Sequence, residues 1–270
     1  MKGLLTRALH TIGLLGLAFR FFENARAFIA EVSYLWRPKT QKGPDGLPMP
    51  SPKLILLVSG HSNAERFWTE GRRAFQSICY ILSRNGLDIQ NFQSILDFGC
   101  GCGRVIRHFY PWYNGDLYGT DYNIALIQWC QRNLPFAQFA INNLEPPLPF
   151  LENKFDLVYA LSVFTHLSEP LQSLWMREMF RVLMPGGYLI LTTHGAGYLD
   201  IMTPHERNMF QEGRLVVRYE EYSGMNLCAS FHPFKYVKEV LCHEFVLIDF
   251  LPEGAWGNGR QDIYLLKKPL

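Results

Sequence analysis

Leu96-Asp97-Phe98-Gly99-Cys100-Gly101-Cys102-Gly103-Arg104 decides how this chain is read. Ser94 to Phe98 reads as a buried strand, three glycines follow at alternate positions, and a helix is expected over 103–110. A strand that turns into a helix through bare glycine backbone leaves room for a ligand and aims free N–H groups at it. Helix starts favour negative charge, so the carboxylate end of a nucleoside-bearing ligand is a natural guest. The dinucleotide fingerprint G-x-G-x-x-G has its third glycine one residue later. Asp97, two positions before the first glycine, would repel a pyrophosphate and suits an ammonium or other cation. Taken alone, the triplet also fits a tight turn.

Leu117-Tyr118-Gly119-Thr120-Asp121 reads as a second short strand ending in a carboxylate. It lies roughly 20 residues past the glycines, where an acid can accept hydrogen bonds from ribose hydroxyls. The competing role is N-cap of the helix expected to start at Asn123. Further strands are expected near 137–141, 155–160, 187–193 and 245–251, and helices over 63–85, 123–133 and 168–183. Such alternation predicts βαβ units, and continuously apolar strands predict a mainly parallel sheet covered on both faces. Ligands of such sheets bind beyond the carboxyl ends of the strands, so Gly99, Asp121, Asn142 and Ser162 converge on one rim.

Several further stretches carry a resemblance. They are the loop from Phe139 through Asn142-Asn143 to Phe150, the strand Phe155-Asp156-Leu157-Val158-Tyr159-Ala160, and Arg181-Val182-Leu183-Met184-Pro185-Gly186-Gly187. With the glycine triplet and Asp121, in this order, the chain resembles the class I S-adenosylmethionine-dependent methyltransferases over residues 93 to 195 and more loosely to the C-terminus. The resemblance implies an α/β, Rossmann-like class I methyltransferase fold with a seven-stranded, mostly parallel sheet. Its last strand, Gln261 to Lys267, is expected to be antiparallel, and a helical extension precedes the fold. It implies S-adenosyl-L-methionine as cofactor, held by Asp97, Gly99, Gly101, Gly103 and the ribose acid Asp121; capping the glycine turn is the alternative role of Asp97. The resemblance places Tyr122 against adenine, with core packing as its rival role; Asn142 and Asn143 stand where many members carry an Asp, and Ser162 follows the fourth strand. Met184 replaces the usual Lys. The region around His194-Gly195 and the tail strand is similar to bacterial methyltransferases of types 11 and 25 that occur with glycosyltransferases.

Methyl transfer to an oxygen benefits from a base, and histidine titrates near working pH. His166, just past the fourth strand, is the leading candidate, with capping or packing of the next helix as its structural alternative. His194 follows the fifth strand and faces the same rim. His232 is a third rim histidine, with a turn contact as its rival role. Arg104 and Arg107 open the expected helix, on a solvated face or against the cofactor carboxylate.

The chain has 270 residues, 48% hydrophobic and 19% charged, as an ordinary globular protein does. A net charge of +2 gives no case for a nucleic-acid groove. The six cysteines show no zinc-type pairing and read as cytosolic free thiols, and no metal site is expected. Residues 1–50 read as an N-terminal amphipathic helix and linker, 51–92 as a helical lid and 93–270 as the methyltransferase domain, with 196–243 as an acceptor-site insertion. The uncharged run Ala8 to Phe19 is too short to span a bilayer. Three roles stay open for residues 1–36: a helix packed on the core or closing over the cofactor, a basic helix on an anionic membrane surface, or a secretory signal with Ala25-Arg26-Ala27 as a poor cleavage site. The expected function is methyl transfer to a small-molecule or glycan acceptor, in the cytoplasm or at the inner face of the membrane. The alternative is an inactive cofactor-binding interaction protein docked through the N-terminal helix.

Overall fold

Alternation of side chains along Ser94–Phe98 (β1) places Leu96 and Phe98 on one face and Ile95 and Asp97 on the other. Both faces are buried, as a central parallel strand requires. The computed structural model describes residues 10–11, 13–34 and 41–270. β1 lies between β2 (Asp116–Asp121) and β4 (Phe155–Ala160), parallel to both, and β3 (Gln138–Ile141) extends the sheet beyond β2. β5 (Leu183–His194) continues it on the other side. Beyond it, β9 (Gln261–Lys267) is antiparallel to both β5 and β8 (Val246–Leu251). The seven strands run β3-β2-β1-β4-β5-β9-β8 with the tail strand reversed, as the resemblance implies. Two short strands, β6 (Val216–Arg218) and β7 (Ala229–Phe231), form a hairpin that joins the sheet at His194 and Phe231. They bring the sheet to nine strands among the described residues.

Chain contacts divide the molecule into two units, residues 1–67 and 68–270. In the first, helix α1 (Leu15–Tyr34) packs against α2 (Pro52–Ser59), which starts at a proline and ends at the left-handed Gly60. Arg26 donates to the Gly60 carbonyl at 2.7 Å. Residues 1–9, 12 and 35–40, with the sequence readings placed on them, lie outside the described residues.

The division falls inside helix α3 (Ala64–Ser83). Its Ala74, Ile78, Ile81 and Leu82 share one buried cluster with Ile95, Leu157 and Ile190. This stretch of the expected lid is therefore a layer of the fold, because its i, i+4 apolar residues are consumed by one face of the sheet. Helix α4 (Ile124–Asn133) follows β2, capped by Asn123, whose side chain accepts from Ala125 N at 3.1 Å. Helix α5 (Glu169–Val182) covers the other face with Trp175, Met176 and Met179 against Leu96, Val158 and Leu189.

Two local expectations are corrected. Residues 103–110 are a turn followed by a short 3-10 helix, Ile106–Phe109. The left-handed Gly103 and Pro111 bracket the stretch, and a regular α-helix runs through neither. Arg107 consequently sits buried instead of on a solvated face. The fifth strand, expected near 187–193, starts at Leu183, so Pro185-Gly186-Gly187 does not precede it. That tripeptide bulges within the strand, since Phe155 pairs with Leu183 but Leu157 with Tyr188.

Candidate active site

Gly99, Gly101 and Gly103 all adopt left-handed backbone, with φ of 77°, 57° and 74°. At Gly99 a Cβ would also collide with Val163 Cγ2, so conformation and packing both require glycine there. The turn's amides are less free than the sequence suggests. Gly99 and Cys100 N–H groups both donate to the Thr120 carbonyl, at 2.8 and 2.9 Å, and Gly103 N–H donates to the Cys100 carbonyl at 3.0 Å. Gly101 N–H donates to Asp121 Oδ2 at 3.0 Å. The expected free helix start is replaced by a turn wrapped around the end of β2.

Asp121 is buried, and its other oxygen accepts from Asn123 N–H at 2.8 Å. It props the helix cap instead of serving as the cap. Burial raises its pKa, and the two amides oppose that shift. An ionised carboxylate has about four acceptor positions, so two remain for a diol.

Asp97 is 3% exposed, and its Oδ2 has no hydrogen-bond partner. In register beside it on β4 is Tyr159, whose buried hydroxyl faces the carboxyl group. Burial pushes the Asp97 carboxyl up to about 7, and the neighbouring Tyr159 hydroxyl and Arg104 guanidinium pull it back. Burial and the adjacent Asp97 raise Tyr159 well above the usual phenol range. Arg104 donates to the Gly257 carbonyl at 3.3 Å and to Asn258 Oδ1. At the end of β3, Asn142 N–H donates to the Asp121 carbonyl at 3.2 Å and its Nδ2 to the Asn143 carbonyl at 2.7 Å, leaving Oδ1 buried and unpartnered. Asn143 itself is exposed.

Orphaned acceptors in a folded interior are costly unless a ligand satisfies them. Asp97 Oδ2 suits an ammonium, Asn142 Oδ1 an exocyclic amine and Asp121 a ribose diol. The residues present therefore fit S-adenosylmethionine.

The two histidines meet beyond β4 and β5. His166 donates Nδ1–H to the Cys228 carbonyl at 2.9 Å, and His194 donates Nδ1–H to the Ser230 carbonyl at 3.2 Å. A carbonyl can only accept, so each neutral ring keeps a lone pair on Nε2. The rings are 6.4 Å apart and nearly perpendicular, and Tyr198 lies 4.3 Å from His194. Burial lowers the His166 pKa, and burial followed by His166 brings His194 down to about 4. His232 is a core residue bonded through Nε2 to Gln172 Oε1 at 3.0 Å.

Ser162 has left-handed backbone at φ 62°. Its N–H donates to Thr192 Oγ1 at 2.7 Å and its Oγ accepts from Gln261 at 2.8 Å, which ties β4, β5 and β9 together at the rim. Residues 219–228 lie across the same end as a strap. Gly224 N–H donates to the His166 carbonyl at 2.7 Å, the Gly224 carbonyl accepts from the Tyr122 hydroxyl at 2.6 Å, and Ser223 Oγ accepts from Ser168 N–H at 2.8 Å.

Tyr159, Tyr198 and the strap were not singled out by sequence. Tyr159 alone had a usable signal, as a phenol inside an otherwise apolar strand end. Among the described residues, no group of three or more His, Cys, Asp or Glu gathers to hold a metal, and all six cysteines are free.

Residues 96–191 match the family described as "Methyltransferase domain". The chain is 34% identical over 131 residues to a sterol 24-C-methyltransferase of Schizosaccharomyces pombe, covering 45% of this chain and 33% of that protein. It is 30% identical over 151 residues to a demethylmenaquinone methyltransferase of Chlamydia trachomatis, covering 54% and 61%. It thus spans less than two thirds of either relative. An S-adenosylmethionine-dependent methyltransferase structure from Mesorhizobium loti superposes with a TM-score of 0.54 at 14% identity, over 71% of this chain and 98% of that one.

Proposed function

We propose that this chain, a class I S-adenosylmethionine-dependent methyltransferase by its fold and by the domain match over residues 96–191, methylates an oxygen of a small-molecule or glycan acceptor. The observation that carries the reading is the pair of orphaned buried acceptors, Asp97 Oδ2 and Asn142 Oδ1, on either side of Asp121. Asp97 holds the amino-acid end of the cofactor, Asp121 the ribose and Asn142 the adenine edge, with Tyr122 beside them. When bound, S-adenosylmethionine supplies an electrophilic methyl group. The protein's part is to place the acceptor oxygen in line with that methyl, since positioning alone removes much of such a barrier. With Nδ1 of each ring held by a backbone carbonyl, His166 and His194 each keep a lone pair on Nε2, and one of them takes the proton of the acceptor hydroxyl. Tyr198 and Phe231 wall the His194 side with aromatic surface.

The test is labelled methyl transfer from S-adenosylmethionine into acceptor pools, with calorimetric binding of S-adenosylhomocysteine as control. His166→Ala and His194→Ala are expected to lower kcat by about 10²–10⁴-fold for the residue that acts as base. Cofactor affinity is expected to hold in both. Because His166 depresses His194, His166→Ala moves the acid limb of the rate upward in pH if His194 is the base. Unchanged turnover in both variants would remove the histidines from the reaction.

A further inference from the structure

Helix α1 is apolar on two opposite sides. Leu15, Ala27 and Ala30 are buried on one. At 100° per residue, Leu17, Phe21, Phe28 and Val32 project from the opposite side, with Phe22 and Ile29 on its flank. All six are exposed, Phe21 by 78% and Phe28 by 70%. The stripe runs for about 22 Å at about 1.5 Å per residue.

Charge identifies what covers it. Residues 1–67 carry nine Lys and Arg against four Asp and Glu, a net +5. Residues 68–270 carry seventeen against twenty, a net −3. The basic excess flanks the helix in sequence, with Lys2 and Arg7 before it and Arg37, Lys39 and Lys42 after it. A second copy of this unit would bring like charges together. An anionic bilayer surface complements both the charge and the apolar stripe. No helix among the described residues is long and apolar enough to cross a membrane.

We propose that α1 docks the chain in the plane of an anionic membrane surface, with Phe21 and Phe28 seated among the acyl chains and the net positive charge of residues 1–67 attracting the headgroups. The inference stands apart from the methyl-transfer reading.

The experiment is cosedimentation of the full chain with vesicles of phosphatidylcholine, with and without about one third phosphatidylglycerol. Binding is expected to the anionic vesicles and to weaken with salt. Phe21→Asp/Phe28→Asp is expected to lower the partition coefficient about a hundredfold, about tenfold for each buried ring, with the melting transition unchanged. Should the double variant lose that transition, Phe28→Ser alone is expected to cost about tenfold. Anionic vesicles that leave the wild-type chain in the supernatant would overturn the proposal. So would a folded variant that binds them as tightly as wild type, or a solution dimer that the substitutions dissolve while vesicle binding persists.

Discussion

Asp97 should make cofactor affinity depend on pH in a way an ordinary aspartate could not. Its carboxyl titrates at about 7 in the fold, against about 3.9 unfolded. A raised folded value means that the group's contribution to stability is complete below the unfolded value and is lost as pH rises to about 7. Above that, the ionised buried carboxylate costs the free protein on the order of 4 kcal/mol. An ammonium set against Oδ2 relieves that cost, so binding draws on the ionised form. About 3% of the carboxyl is ionised at pH 5.5 and about three quarters at pH 7.5, so affinity should rise about twenty-fivefold across that window. The window stays below the titration of a free α-amino group, at about 7.7–8.0. Calorimetry with S-adenosylhomocysteine in buffers of different ionisation enthalpy should show proton release at pH 5.5 that fades by pH 7.5. Asp97→Asn should flatten the profile and weaken binding about 10- to 150-fold, the loss of one charge-assisted hydrogen bond. The same variant should raise the stability of the free protein at pH 8. An affinity that stays level from pH 5.5 to 7.5 in wild type, or a slope that survives in Asp97→Asn, refutes the placement of an ammonium at this carboxylate.

Two further perturbations probe the turn and the strap. Gly99→Ala combines left-handed backbone with a collision against Val163 Cγ2 and should cost about 2–4 kcal/mol in denaturant unfolding. Adding Val163→Ala should return the collision share and leave about 1–2 kcal/mol of backbone strain, whereas simple addition of the two losses would show that the contact is not what forces glycine. Tyr122→Phe removes the hydroxyl that reaches the Gly224 carbonyl and should cost about 1 kcal/mol. Hydrogen exchange should then quicken over residues 219–228 and stay unchanged in β1, and equal protection in both proteins would release Tyr122 from that role.

What the sequence discloses and what it hides divide along the range of the interactions. β1, β2 and β4 are legible because their burial follows from short apolar runs, and the turn at Gly99 because left-handed backbone leaves its mark in residue type. The antiparallel tail strand came from the resemblance, since nothing local to Gln261–Lys267 states which neighbours it joins. The 103–110 stretch misled because a helical composition says nothing about the room between Gly103 and Pro111. The site is harder still. Asp97 and Tyr159 share a face by simple alternation, but they become neighbours only once β1 is known to pair with β4. The strap bonds join Gly224 to Tyr122 and to His166, and periodicity extends to neither partner. Asp121 shows the boundary within one residue. Its carboxylate was legible as an acid about 20 residues past a glycine turn, yet its bond to Gly101 N–H reverses the expected picture of that turn. The amides do not wait for a ligand; they hold the acid in place, and the unmet polar atoms lie on the side chains of Asp97 and Asn142. In the proposed reading, recognition of a charged nucleoside rests on those side chains more than on bare backbone, which is why substitutions at Asp97 and Asn142 test the site more sharply than changes in the glycines, whose first effect is on folding.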